Sequence, residues 1–208
     1  MKVAFLHAVA DHKFKYSDIN HDFVHMMLES VRRTMPNTDI IHMTDSETPA
    51  IPGTITNRLK WEHPNPMIFK MNHMMCLEGD VIVLDTDVIV QKDIRPVFNF
   101  EFDMALTWRD GPIMTAEGDD IAKVMPYNCG VMFQRSRLFW KRCLEHWFGK
   151  NPGWFADQMA VAAVAPQFNV LRLHCDNFNY TPRSPDEDLS RRYVVHYKGE
   201  RKTWAIKK

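Results

Sequence analysis

Val81-Ile82-Val83-Leu84-Asp85-Thr86-Asp87 is an apolar run that ends in two carboxylates separated by one residue. It reads as a strand. Side chains alternate faces along a strand, so Asp85 and Asp87 are expected on the same side, able to converge on one hard divalent cation at the strand's end. Asp-x-Asp also arises by chance, and acidic residues often only solvate a strand end. The meaning of the triplet therefore depends on the chain around it.

Outward from this run, strand-like and helix-like segments alternate, which is the pattern of an α/β domain with a mostly parallel central sheet flanked by helices, Rossmann-like in its layering. Residues 3–9 read as the first strand. A helix is expected over 18–34, with Phe23, Met27 and Val31 on one stripe beside Val24 and Leu28, ended by Pro36 and Asn37. Residues 39–43 read as a second strand, followed by a long loop rich in turn residues. A helix over 66–77 has Pro66 in its first turn, Gly79 beyond its end, and Ile68, Met71 and Met75 facing inward. After the acidic strand, 102–108 and 131–133 read as strands, Ser136 as the cap of a helix reaching 147, 154–165 as another helix, and 170–173 and 193–196 as short late strands. Ligands of open α/β sheets gather outside the carboxyl ends of the strands, so Asp11, after strand one, is expected beside Asp85 and Asp87.

Composition narrows the partner. The 208 residues, 45% of them hydrophobic, suffice for one domain spanning 1–208 with its own core. The 26 basic and 26 acidic residues balance, which argues against a general nucleic-acid binder, and no window approaches the roughly 20 apolar residues of a membrane span. Cys76, Cys129, Cys143 and Cys175 have neither metal-site spacing nor the density of a disulfide scaffold, so a reducing, cytoplasmic setting is expected. A small-molecule partner fits best. Residues 191–208 are locally basic, with seven Lys and Arg against Glu200, an end suited to an anion or to peripheral contact with a membrane surface.

The second chemical segment is His196-Tyr197-Lys198-Gly199-Glu200-Arg201-Lys202-Thr203-Trp204. A histidine follows a short apolar strand, a glycine allows a tight turn with open backbone N–H groups, and a lysine follows three residues later. Such a turn can wrap an anion. Singly, His196 would read as a hydrogen-bonded core histidine and Lys202 as a solvated charge. Together with the aspartates they supply carboxylate oxygens, an imidazole nitrogen and an ammonium. The imidazole tilts the metal preference from Mg²⁺ towards Mn²⁺.

At these residues the chain resembles the retaining glycosyltransferases of family 8, the glycogenin and lipooligosaccharide galactosyltransferase group. Asp85-Thr86-Asp87 is similar to their metal-binding D-x-D, and His196 to Trp204 to their H-x-x-G-x-x-K-P-W signature. Ala10-Asp11-His12-Lys13-Phe14 resembles the nucleotide-binding D-x-x-Y, Lys70 the helix lysine that precedes D-x-D and touches the donor, Asn128-Cys129-Gly130-Val131 the N-S-G-V strand, and Asp157-Gln158 the D-Q pair beside the donor sugar. The resemblance implies a GT-A fold and a Mn²⁺-dependent hexosyltransferase that moves a sugar from a nucleotide-sugar, a UDP-sugar, to a glycan or other hydroxyl acceptor with retention. It implies that Asp85, Asp87 and His196 ligate the metal, that Ala8, Asp11, Phe14, Lys70, Asp85, Thr86, Asn128, Gly199 and Lys202 bind the donor, and that Asp157 and Gln158 are catalytic.

Three positions depart from the pattern: Phe14 replaces tyrosine and keeps only the ring, Cys129 stands where serine or threonine is usual, and Thr203 replaces proline. None removes a metal ligand. Two alternatives remain at this level. A nucleotidyltransferase of related fold would also use paired aspartates, though it usually carries a glycine-rich loop after strand one, and residues 6–14 contain no glycine. A non-catalytic sugar-nucleotide or glycan-binding module would keep the pocket without turnover.

Overall fold

The computed structural model describes residues 1–8, 17–62, 65–115, 117–150, 153 and 155–206; Asp11 and Phe14 lie outside them. The strands are β1 (Lys2–Leu6), β2 (Asp39–Thr44), β3 (Ile55–Arg58), β4 (Val81–Leu84), β5 (Val88–Val90), β6 (Met104–Trp108), β7 (Tyr127–Gln134), β8 (Val170–His174) and β9 (Val194–His196). The helices are α1 (Ser17–Thr34), α2 (Pro66–Cys76), α3 (Ile121–Val124), α4 (Arg137–Trp147), α5 (Ala156–Val164), α6 (Cys175–Phe178) and α7 (Lys202–Ile206).

Seven strands form one sheet in the order β3-β2-β1-β4-β7-β6-β8. β3, β2, β1 and β4 run parallel, β7 is antiparallel to both its neighbours, and β6 pairs parallel with β8. Alternation along the central strands sorts the core into two layers. Ala4, Val81 and Val83 pack with Met71, Met74, Phe139, Trp140, Ala160 and Val161 from α2, α4 and α5. Val3, Phe5, Ile82 and Leu84 pack on the opposite face against Val24, Met27, Leu28 and Val31, the apolar stripe expected of α1. α2 begins as its sequence requires: Pro66 occupies the first turn, and the Asn65 side-chain oxygen accepts from the backbone N–H groups of Met67 and Ile68. Met75 is only partly buried, and Met74 takes the inward position instead.

Several boundaries differ from the sequence expectation, and three differences position the site. β1 ends at Leu6. The loop after β2 contains a further parallel strand, β3, whose short polar sequence Ile-Thr-Asn-Arg has no apolar alternation to betray it. β4 stops at Leu84, and the run continues through a turn at Asp85–Asp87 into β5, which leaves the main sheet to pair antiparallel with β9. The Asp85/Asp87 pair thus converges through a turn between two strands, not through side-chain alternation on one.

Candidate active site

The two-stranded β5–β9 sheet joins residues more than a hundred positions apart. Its register sets Val88 opposite His196, and the Tyr197 N–H donates to the Asp87 carbonyl at 2.9 Å. On the other side, the Asp85 N–H donates to the Gly130 carbonyl at 2.8 Å, which fixes the start of the acidic turn against β7. His196 Nε2 consequently lies 2.9 Å from Asp87 Oδ1 and 3.9 Å from Asp85 Oδ2. One ligand atom from each of Asp85, Asp87 and His196 falls within 4.8 Å of the others, the one such trio of candidate metal ligands among the described residues. Two carboxylates and an imidazole suit a borderline-hard divalent cation such as Mn²⁺, with Mg²⁺ served less well.

Two lysines flank the trio. Lys202 Nζ sits 3.1 Å from Asp87 Oδ2. Burial works against the Asp87 carboxylate, yet His196 and Lys202 together hold it well below the usual carboxylate range. Lys70, fully enclosed on α2, donates to Asp85 Oδ1 at 2.7 Å and to the Cys129 carbonyl at 3.1 Å, and lies 3.9 Å from Asp157 Oδ2. Burial would lower its pKa, but Asp85 and Asp157 outweigh it and keep the ammonium charged. Lys70 therefore holds one oxygen of Asp85 and leaves the other facing His196.

These groups line a cavity of about 520 Å³. Ala8, Lys70, Asp85, Thr86, Asp87, Asn128, Asp157, Gln158, His196 and Lys202, all singled out from sequence, reach its wall. Gly199 is not part of that wall. It takes a positive φ of 55° at the start of the turn that leads to Lys202, the backbone freedom for which a glycine was expected there. Asp157 is buried at the start of α5, and its carboxyl is pushed up chiefly by burial, with Lys70 opposing and Asp85 reinforcing.

Three polar residues of the site were given no role from sequence, although Lys198 falls within the His196–Trp204 segment. Arg109, just after β6, donates to the carbonyls of Met125 and Tyr127 and, at 2.6 Å, to Gln158 Oε1. Guanidinium is donor-only, so the Gln158 oxygen must face it and the amide NH₂ is left for the cavity. Lys198 also lines the wall; burial lowers its pKa. Asn179, after α6, meets His196 Nδ1 at 2.7 Å and Asn128 Oδ1 at 2.6 Å. The Asn128 side-chain oxygen also accepts from the Gly130 N–H at 2.9 Å, so it is engaged within the protein.

No family model matches the chain, and no curated protein matches it in sequence. Solved structures do match in fold. The apo structure of the bifunctional glycosyltransferase WbbM superposes with a TM-score of 0.63 at 11% identity, covering 96% of this chain and 46% of that one. The galactosyltransferase LgtC, in complex with donor and acceptor sugar analogues, gives 0.56 at 14% identity over 96% of this chain and 88% of its own. A glycosyltransferase involved in glycosylation of the major capsid of PBCV-1 gives 0.59 at 12% identity, over 99% of this chain and 100% of its own. The chain spans less than half the length of WbbM and most or all of the other two. Its fold is the GT-A fold, as the motif resemblance implied.

Proposed function

We propose that this chain is a metal-dependent, retaining glycosyltransferase that moves a hexosyl group from a UDP-sugar to the hydroxyl of a glycan or similar acceptor. The observation that carries the reading is the Asp85–Asp87–His196 trio on the wall of the 520 Å³ cavity, with Lys202 3.1 Å from Asp87. Asp85, Asp87 and His196 would hold Mn²⁺, and a divalent ion there supplies positive charge against a departing diphosphate. Lys202 and the backbone N–H groups of the turn at Gly199 add fixed positive potential to the same side, and electrostatic preorganisation of this kind is usually the largest single contribution to rate. In this reading Thr86 and Ala8, which line the cavity, would approach the nucleoside, and Asp11 and Phe14 would be its base contacts.

The sugar lies towards Asp157 and Gln158. With its oxygen held by Arg109, Gln158 offers an N–H donor and no nucleophilic atom, and Asp157 accepts from the Gln158 backbone N–H at 2.8 Å and faces Lys70 at 3.9 Å. That favours attack from the same face as the leaving group. The anomeric carbon–oxygen bond to the diphosphate breaks, the acceptor oxygen bonds to that carbon, and the acceptor proton passes to the departing phosphate oxygen.

The test is release of nucleoside diphosphate from UDP-, GDP- and ADP-sugars with Mn²⁺, with Mg²⁺ and with chelator. Slow release from one UDP-sugar, dependent on Mn²⁺, is expected, and Asp87→Asn or His196→Ala should reduce it by at least the roughly 10–100-fold typical of losses around a metal site. Turnover near wild type in either variant would sink the metal assignment. Tight donor binding with no release in the presence of any acceptor would leave a binding module.

A further inference from the structure

Thr107, Asn128, Asn179 and His196 form a hydrogen-bonded chain behind the trio, all of them buried. Its polarity follows from one backbone group. The Gly130 N–H can only donate, so the Asn128 side-chain atom 2.9 Å away is oxygen. The Asn179 amide atom 2.6 Å from that oxygen must then be the NH₂. Thr107 agrees: its hydroxyl proton goes to the Asn128 carbonyl at 2.8 Å, so Thr107 Oγ1 accepts from the Asn179 NH₂ at 2.9 Å. Both Asn179 N–H groups are thereby used. Its oxygen is what faces His196 Nδ1 at 2.7 Å, and that nitrogen must carry a proton. Nε2 lies 2.9 Å from Asp87 Oδ1, so the two atoms share either a proton, with the ring then protonated on both nitrogens, or a metal ion that takes its place.

We infer that Asn179 is a positioning residue that fixes His196 in the Nδ1–H tautomer and so presents Nε2 as a metal ligand. Gly130 completes the device, because a Cβ there would come within 2.4 Å of His196 Cε1 and 2.5 Å of Nδ1. The metal part of the inference rests on the reading proposed above; the tautomer does not.

The experiment is a long-range ¹H–¹⁵N spectrum of the protein labelled at its histidine rings, recorded without metal. The His196 signals are assigned by their loss in His196→Gln. Mn²⁺ titration of the same samples accompanies it. Wild type should show His196 protonated at Nδ1, with or without a second proton shared with Asp87, and no form protonated at Nε2 alone. Asn179→Ala should give the Nε2–H form or a mixture and weaken Mn²⁺ binding roughly 10–100-fold. Asn179→Asp keeps an acceptor for Nδ1–H, so Nδ1 should stay protonated and Mn²⁺ should bind more tightly than to Asn179→Ala, although the lost NH₂ contacts to Asn128 and Thr107 lower its stability. A pure Nδ1–H tautomer in Asn179→Ala overturns the inference, as does a loss of Mn²⁺ affinity without a change of tautomer. Should the alanine variant not fold, a mixed tautomer in Asn179→Asp overturns it equally. Absence of sugar transfer with the tautomer behaviour intact would count against the enzymatic reading alone.

Discussion

At the residue scale the site depends on atoms that are missing as much as on those present. Gly130 does not take a positive φ; it is required because the His196 ring occupies the space a Cβ would fill. Gly130→Ala must push the ring aside, since a contact of 2.4 Å cannot be absorbed by backbone on one side and a ring anchored by Asn179 on the other. The expected result is a loss of about 1–3 kcal/mol in urea unfolding, typical of overpacking, together with at least a tenfold weaker Mn²⁺ affinity in a titration. Wild-type affinity in a folded Gly130→Ala protein would show that the ring position is not what sets metal binding. Of the residues around this glycine, Asp85, Asp87, His196 and Lys202 were legible because they stand at motif spacing. Asn179 and Arg109 were not: each is a single polar residue just after a short element, and its partners are brought to it only by tertiary structure, whereas Lys198 stood inside the readable His196–Trp204 segment at a position to which the motif gives no role.

At the scale of elements, the decisive piece is the two-stranded sheet. Val88-Ile89-Val90 lies directly beyond the acidic turn and is only three residues long, so nothing local says that it abandons the main sheet. The strand at 193–196 was readable, but its partner was not, because pairing across so long a separation leaves no trace in either segment. Tyr127–Gln134 runs well beyond the expected 131–133: it is buried throughout, and its polar Asn128 and Gln134 are accommodated by specific hydrogen bonds. β5 is held from outside by α1: Ser30 Oγ accepts from the Val90 N–H at 3.0 Å while donating to the Met27 carbonyl at 2.7 Å. Ser30→Ala leaves a buried N–H without a partner, at a cost of about 1–3 kcal/mol. The consequence should be local as well as global. Amide exchange at Val90 and across β9 is expected to accelerate more than exchange in β1 or β4, and donor turnover should fall because Asp87 opens β5. Uniform acceleration throughout the sheet would mean that β5 and β9 are not a separable unit.

At the scale of the whole molecule, a group of buried histidines adjoins the candidate site: His42 Nε2 lies 2.8 Å from the carbonyl of His7, which lines the cavity, and His73 follows the cavity-lining Lys70 on α2. His42 on β2 and His73 on α2 are both fully buried, with His73 Nδ1 2.7 Å from Asn57 Oδ1 on β3. Burial lowers the pKa of both, that of His73 to about 4, with backbone contacts and Asp45 only partly offsetting it. The sign follows from which state takes up protons. Below an unfolded-state pKa near 6.5 the unfolded chain binds protons that the folded chain refuses, so this stability is complete above that pH and is lost as pH falls towards about 4. For His73 alone the loss approaches roughly 3 kcal/mol, at about 1.4 kcal/mol per pH unit. Asp157 runs the other way, since its raised pKa favours the folded state on acidification. A comparison within one position therefore isolates the histidine. In His73→Gln, which can still reach Asn57 but does not titrate, the drop in urea-unfolding free energy between about pH 7 and pH 4.5 should be smaller than in wild type by about 2–3 kcal/mol. Equal slopes in the two proteins would show that His73 stays neutral in both states or is charged in both, and that the acid sensitivity of this fold is seated elsewhere.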